Sequence, residues 1–310
     1  MSRPISIAVH GGAGTILPEL LTPALEKEYK HHLQLAIDTG HQLLSSGESA
    51  LVAAAAAVSV LEDCELFNAG KGSVFTAEGQ HEMDAAIMCG KTLEAGSVAA
   101  VTGIKNPIQL AHRVLTHSEH VMLIGKGAEQ FAKEHGLKFE NPEYFFNQYR
   151  YDQWQQLKGT KKFQLDHSEA IRDRKHGTVG AVCLDLQGNL AAATSTGGMT
   201  NKQYGRVGDS ALIGVGNYAN NKTCAVSCTG SGEFFIRSVV AYDISALMEH
   251  TGMSLEKAAE KVIHQRMLQE GDGGVIAVDR FGNIAMPFNS AGMYRAAKKN
   301  NEPTFVAIYK

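Results

Sequence analysis

The sequence predicts one α+β domain in which two layers of β-sheet are covered by helices. Strand-like runs fall on both sides of a polar segment near mid-chain, and so do helical patterns. Neither half holds a hydrophobic set that could form a core alone, so the halves must share one. A chain of 310 residues, 44% hydrophobic and 20% charged, suits one large soluble domain.

The elements follow in order. "ISIAV", from Ile5, reads as a buried strand ended by Gly11 and Gly12. Thr22 before Pro23 is a helix cap with proline at the first helical position, and that helix is expected to run to about Ser46, where Gly47 stops it. A second, Ala-rich helix spans about Ser49 to Glu62. "NAGKGSVFT", a turn at "AEGQ" and "EMDAAIMCG" suggest a hairpin. "SVAAVTG" is a strand, "NPIQLAHRVLTHS" a helix, "HVMLIG" a strand and "GAEQFAKEHG" a helix. From about Lys138 to His176 the chain turns polar and loses periodicity, the pattern of a partly mobile linker. Strands then follow at "TVGAVCLDL", "NLAAATST", "ALIGVG" and "CAVSCT". Two helices, "GEFFIRSVVAYDISALMEH" and "SLEKAAEKVIHQRM", precede the strands "GGVIAVD", "NIAMPF", "MYRAA" and "TFVAIY".

Bulk properties exclude several functions. A net charge of −3 and a pI near 6.5 supply no field for nucleic acid or an anionic membrane, and neither is expected as a partner. The first apolar run is too short for a secretory segment, and no stretch approaches the roughly 20 apolar residues of a membrane span. The five cysteines are odd in number and scattered, which fits reduced thiols in a cytoplasmic protein.

Familiar motifs fail on inspection. "GVGNYA" has dinucleotide-loop spacing, but "NYANNKT" is turn chemistry rather than a helix start. "GKGS" at 70–73 lacks the earlier glycine of a phosphate loop. No H-E-x-x-H, G-x-S-x-G or papain-like cysteine context occurs. His10 reads as a satisfied core group or one lying behind a site.

The step Gly177–Thr178 offers a different catalyst. A polar run meets a core strand there. If the chain were cut before Thr178, the threonine would carry its own base, the new α-amine. With a pKa of roughly 7.7–8.0, about a third of such amines are neutral near pH 7.5, against about 0.1% of unshifted lysines. Glycine before the threonine leaves room for the hydroxyl to reach the preceding carbonyl. Gly–Thr pairs are common, however, and on the pair alone a glycine that merely starts a strand is the favoured reading.

The wider pattern is more specific. "HGTVGAVCLDLQGNLAAATSTGGMTNK", "GRVGDS" and "SCTGSGE", with "AVHGGAG", "LFNAGKGSVFT", "EMDAAIM" and "AGSVAAV" upstream, resemble the plant-type asparaginase and isoaspartyl aminopeptidase family of N-terminal-nucleophile hydrolases. The resemblance covers nearly the whole chain, most weakly in the linker and the last ten residues or so. It implies a four-layer αββα sandwich, self-cleavage between Gly177 and Thr178, an α chain of residues 1–177, a β chain of 178–310, and a dimer of such αβ pairs. It implies hydrolysis of β-aspartyl dipeptides and L-asparagine with no catalytic cofactor.

By the same resemblance Thr178 is the nucleophile and Thr196 orients it. Arg206 holds the substrate α-carboxylate and Asp209 its α-ammonium. Thr229 and Gly230 form the oxyanion hole, and Asn68 approaches the site. Backbone carbonyls of Leu61, Glu62, Cys64, Phe67, Ala69 and Lys71 match a loop that binds a structural sodium in bacterial relatives. An Arg and an Asp three residues apart on a Gly-rich loop do suit an amino-acid head group, although a bare surface ion pair is the default for such residues. Two alternatives remain: a glycosylasparagine hydrolase, disfavoured by Gly177 in place of Asp, the absent signal peptide and the reduced cysteines, and an uncut, non-catalytic binder of small amino acids.

Overall fold

The structure, a computed structural model, describes residues 4–160, 177–266 and 272–310. An eight-stranded sheet contains β1 (Ser6–Gly14), β2 (Met83–Cys89), β3 (Ala95–Val101), β4 (Met122–Ile124), β5 (Val179–Leu184), β6 (Leu190–Thr196), β11 (Gly292–Lys299) and β12 (Phe305–Ala307). Their spatial order is β12-β11-β1-β5-β6-β2-β3-β4. A four-stranded sheet orders β10 (Ile284–Ala285), β9 (Gly273–Asp279), β8 (Cys224–Gly230) and β7 (Asn217–Ala219).

Helices α1 (Pro23–Ser45), α2 (Ala50–Glu62), α3 (Pro107–His117) and α4 (Gly125–Glu134) cover the larger sheet, and α8 (Val240–Thr251) and α9 (Leu255–Gln265) cover the smaller. Three apolar clusters mark the three interfaces of this αββα sandwich. One joins Leu33, Ile37, Val58 and Leu61 to Ile7, Val9, Ile87 and Val179. A second joins Val226, Cys228 and Val275 to Ile244, Ala259 and Ile263. Between the sheets, Ala8, Val182, Leu184 and Ala192 meet Ala225, Ile276 and Val278. Alternate residues of β5 thus face different cores, which is why both of its faces are apolar.

Local signals explain the helix starts. Thr22 and Ser49 cap α1 and α2 by accepting the N–H of Leu25 and Val52. Buried Leu33, Ala36, Ile37, Gly40 and Leu44 form one stripe of α1. Alanines let α2 lie close over β5 and β6.

Several elements differ from expectation. The first strand does not stop at Gly11: it bulges between His10 and Gly12 and continues to Gly14. "NAGKGSVFT" is a 3-10 turn and extended loop, and β2 pairs instead with β3 and β6. "ALIGVG" is not a strand; the short strand is β7, in the stretch whose composition reads as a turn. The single helix expected over 232–250 breaks into α7 (Gly232–Ser238) and α8 at Val239, which adopts φ 50°, ψ 45°. The amides of Ala241 and Tyr242 bond instead to the carbonyls of Val215 and Gly214, so tertiary pairing outweighs helix continuity. Residues 138–160 are not linker-like. They form α5 (Pro142–Phe145) and α6 (Gln148–Leu157), with Trp154 stacked on Phe75 at 5.5 Å. The rest of the expected linker, 161–176 with His176, lies outside the described residues.

Candidate active site

Thr178 sits at the head of β5, nearly buried, where strands of both sheets end or bend. Gly177 is pressed between two elements. A Cβ on Gly12 would stand 2.5 Å from the Gly177 nitrogen, and one on Gly177 would stand 3.0 Å from Thr229 Oγ1. Gly12 also has φ 117°, open mainly to glycine, so the β1 bulge gives the Gly177–Thr178 peptide its berth. The Thr229 hydroxyl accepts the Ala13 N–H at 3.3 Å, which leaves its own hydrogen for a second acceptor.

The Thr178 hydroxyl lies 3.2 Å from Ser210 Oγ. The expected hydrogen bond from Thr196 is not formed. Register pairs Val179 with Ser195, so one further step sets Thr178 opposite Thr196. The Thr196 hydroxyl, however, accepts the Gly198 N–H at 3.0 Å, because the turn after β6 folds back on it. Asn68 straps that turn: its amide donates to Gly198 O at 2.7 Å, its carbonyl accepts the Gly197 N–H at 2.9 Å, and its Oδ1 accepts the Val74 N–H.

Behind Thr178, His10 Nδ1 donates to the Thr178 carbonyl at 2.9 Å, and His10 Nε2 meets Ser227 Oγ at 2.9 Å. Burial depresses the His10 ring to about 3, so it is neutral at working pH. Ser227 meets Thr194 Oγ1 at 2.7 Å, and Thr194 in turn accepts from the Asn217 amide at 3.1 Å.

Arg206 and Asp209 lie close together. The Arg206 fork pairs side-on with Glu233, Nε to Oε1 at 2.9 Å and Nη2 to Oε2 at 3.0 Å. Its Nη1 makes no hydrogen bond among the described residues, so the opposite edge can take a carboxylate. A Cβ on Gly232 would lie 2.8 Å from Arg206 Nη2 and 2.9 Å from Asp209 Oδ1. The cation and the carboxylate therefore both pack against Gly232, a residue with no side chain.

Asp209 is buried and its Oδ2 has no hydrogen-bond partner. Burial pushes its carboxyl up to about 7, against the pull of Arg206. Asp84, the register partner of Thr196, is likewise buried with an unpartnered Oδ2, and burial raises it against the pull of Lys202. Lys202 is buried beside it, donating to Glu82 O at 3.0 Å. An unsatisfied acid beside a half-used guanidinium suits a ligand carrying one ammonium and one carboxylate.

Sequence reasoning read His10 as a core group or one behind a site, where it lies, without naming Thr178 as its contact, and missed Ser210, Ser227, Thr194, Asp84, Lys202 and Glu233. Ser210, Asp84 and Glu233 lie inside "GRVGDS", "EMDAAIM" and "CTGSGE", so a signal existed. Ser227 and Thr194 look like ordinary strand residues.

The Leu61–Lys71 loop carries Asn68 to the turn after β6. The Phe67 and Ala69 carbonyls accept the N–H groups of Ala69 and Gly72, each keeping a second lone pair, while the Leu61 carbonyl accepts those of Cys64 and Asp63. A Cβ on Gly72 would collide with the Phe67 and Glu65 carbonyls, and one on Gly70 with that of Glu62, so the glycines let carbonyls close inward. Among the described residues no three His, Cys, Asp or Glu side chains are grouped to hold a metal. Any cation here would rest on carbonyl oxygens, as a hard ion prefers. The Glu62 carboxyl accepts from Ser195 at 2.6 Å and from Ile108 N–H, and burial lifts it to about 8.

Known proteins resemble this chain along nearly its whole length. The sequence profile of the family described as asparaginase matches residues 3–308. The chain is 50% identical to an isoaspartyl peptidase of Escherichia coli K12, over 98% of this chain and 96% of that one. It is 42% identical to an isoaspartyl peptidase/L-asparaginase of Xenopus laevis, over 99% and 96%. It is 41% identical to a plant-type L-asparaginase of Pyrococcus horikoshii, over 96% and 97%. Matched along its length by the profile and by relatives at these identities, the chain belongs to the asparaginase family.

Proposed function

We propose that this chain is an amidohydrolase that cuts itself before Thr178 and then hydrolyses β-aspartyl dipeptides and L-asparagine. The observation that carries the reading is Gly177–Thr178 packed beside the Thr229 hydroxyl, with Ser210, next to Asp209, hydrogen-bonded to the Thr178 hydroxyl, in a member of this family. In maturation, Thr178 Oγ1 adds to the Gly177 carbonyl carbon. The C–N bond breaks, the nitrogen takes the hydroxyl proton, and an ester replaces the amide. Water hydrolyses the ester, leaving a Gly177 carboxylate and a free Thr178 amine.

In turnover that amine, when neutral, takes the Oγ1 proton as the oxygen attacks the substrate side-chain carbonyl. The Thr229 hydroxyl and the Gly230 N–H receive the developing oxyanion. The proton passes to the leaving amine or ammonia, and water cleaves the acyl ester to release aspartate. Arg206 and Asp209 hold the α-carboxylate and α-ammonium, while Ser210, 3.2 Å from Oγ1, and the Asn68-strapped Thr196 turn orient the nucleophile.

The same reading makes the mature form a dimer of αβ pairs, with a structural sodium in the Leu61–Lys71 loop, acting in the cytoplasm. Among the described residues no helix is long and apolar enough to cross a membrane, and all five cysteines are free. The test is a denaturing gel with N-terminal sequencing, beside assays on L-asparagine, a β-aspartyl dipeptide and a glycosylated asparagine. Two bands, a new N-terminal threonine and turnover of the first two substrates are expected. An intact, inactive chain that binds amino acids, or a preference for the glycosylated substrate, would overturn it.

A further inference from the structure

We propose that His10 is a positioning residue for the nucleophile: a directed hydrogen-bond chain from Asn217 through Thr194, Ser227 and His10 holds the Thr178 carbonyl. This rests on Thr178 being the nucleophile.

Donor and acceptor accounting gives the chain one direction. A carbonyl can only accept, so His10 Nδ1 must carry the hydrogen of the 2.9 Å contact to Thr178. The ring is neutral, so Nε2 is bare and must accept from Ser227. Ser227 spends its hydrogen there and can only accept from Thr194, at 2.7 Å. Thr194 spends its hydrogen on Ser227 and accepts from the Asn217 amide at 3.1 Å; its contact with Gly216 O, at 3.2 Å, is the longer one. His10, Thr194, Asn217 and Ser227 are all fully buried, so a break anywhere strands a polar group.

The chain crosses between the sheets, from Asn217 in β7 to Thr194 in β6, back to Ser227 in β8, then to His10 in β1 and Thr178 just before β5. It also accounts for Gly180. That residue pairs with His10 in the β1–β5 ladder, and a Cβ there would collide with both Ser227 Oγ and His10 Nε2.

The need for such a hold follows from the cut. The β5 ladder begins at Val179 against β6 and at Gly180 against β1. Thr178 lies outside both, and cleavage removes its covalent anchor to Gly177. With its carbonyl pinned by His10, the Thr178–Val179 peptide plane stays fixed. Only rotations about Cα–C and χ1 then remain to place the amine and the hydroxyl.

The test compares His10→Asn, His10→Gln and Ser227→Ala with wild type, on L-asparagine and a β-aspartyl dipeptide. Rates are normalised to the cleaved fraction, and thermal midpoints are recorded. An asparagine amide nitrogen can replace Nδ1, whereas a glutamine amide reaches only the Nε2 position. A displacement of about 1 Å at the attacking group costs on the order of 100-fold. His10→Gln should therefore lose roughly 10- to 100-fold in kcat with KM within about threefold, and His10→Asn should recover most of that. Ser227→Ala should lose roughly 3- to 10-fold in kcat. Equal kcat for Asn and Gln, or a loss confined to KM, overturns the proposal, as does a loss that merely follows the thermal midpoint. If neither His10 variant folds, Ser227→Ala decides: lower kcat at constant KM supports the chain, and unchanged kcat refutes it. An uncut, inactive wild type would instead refute the hydrolase reading itself.

Discussion

Replacing Asp209 by asparagine should make the protein more stable at pH 8 and nearly inactive. Asp209 is 3% exposed, one of its oxygens has no partner, and burial moves its carboxyl from 3.8 to about 7. Below pH 3.8 it is protonated in both folded and unfolded chains, and the native state bears no penalty. Between those values the folded chain keeps a proton that the unfolded chain releases, so stability falls as pH rises. Above about 7 both forms are ionised and the penalty is complete. At about 1.4 kcal/mol per pH unit it is at most about 4 kcal/mol, and local relaxation with partial water penetration reduces it to roughly 1–3 kcal/mol. Asparagine has the same shape and does not titrate. Measured by denaturant unfolding in an uncut Thr178→Ala background at fixed protein concentration, the variant should gain little at pH 4 and most at pH 8. In the Thr178 background, losing the ammonium's ionic partner should lower kcat/KM about 100-fold or more. Wild-type kcat/KM should itself rise with pH through about 7 as Asp209 ionises. A stability gap that does not widen between pH 4 and pH 8, or a variant with normal kcat/KM, would refute the reasoning.

Other perturbations test the remaining roles. Thr178→Ala should give one folded, uncut, inactive band, while Thr178→Ser should cut more slowly; normal cleavage of the alanine variant on a gel refutes the nucleophile. Arg206→Met should mature into fragments of 177 and 133 residues (310 − 177), because the Gly177–Thr178 step presents no free carboxylate to clamp. Its kcat/KM should fall by roughly 2–5 kcal/mol, about 30- to several-thousand-fold, with lysine restoring only part; normal turnover would make Arg206 structural. Glu233→Gln loosens the side-on hold on Arg206. Because the Glu233 side chain is 45% exposed, the pair is worth at most about 1 kcal/mol, so KM should rise about two- to fivefold at constant kcat. A fall in KM would mean that Glu233 competes with the substrate.

The sequence by itself determined what depends on near neighbours along the chain. Thr22–Pro23 and Ser49 start their helices because a capping oxygen needs only an amide three residues on. Alternation and apolar runs placed β1, β5, β6, β8 and β9, and the ordered motifs brought Thr178, Thr196, Arg206, Asp209, Thr229 and Asn68 into view. Tertiary structure decided whatever depends on distant partners. Val239 breaks a helix because the carbonyls of Gly214 and Val215 take the amides that would have continued it. Asn217–Ala219 becomes a strand because β8 lies beside it, although its composition suits a turn. Aromatic packing of Trp154 on Phe75 folds a stretch without periodicity. The site shows the same division. Thr196 turns to Gly198 instead of Thr178, Glu233 takes one edge of Arg206, and His10 reaches Thr178 across 168 residues of chain. These contacts depend on strand register and on the stacking of one sheet over another. A one-residue slip would send Thr196 and His10 to the opposite face of the sheet, and only the packed core penalises that slip.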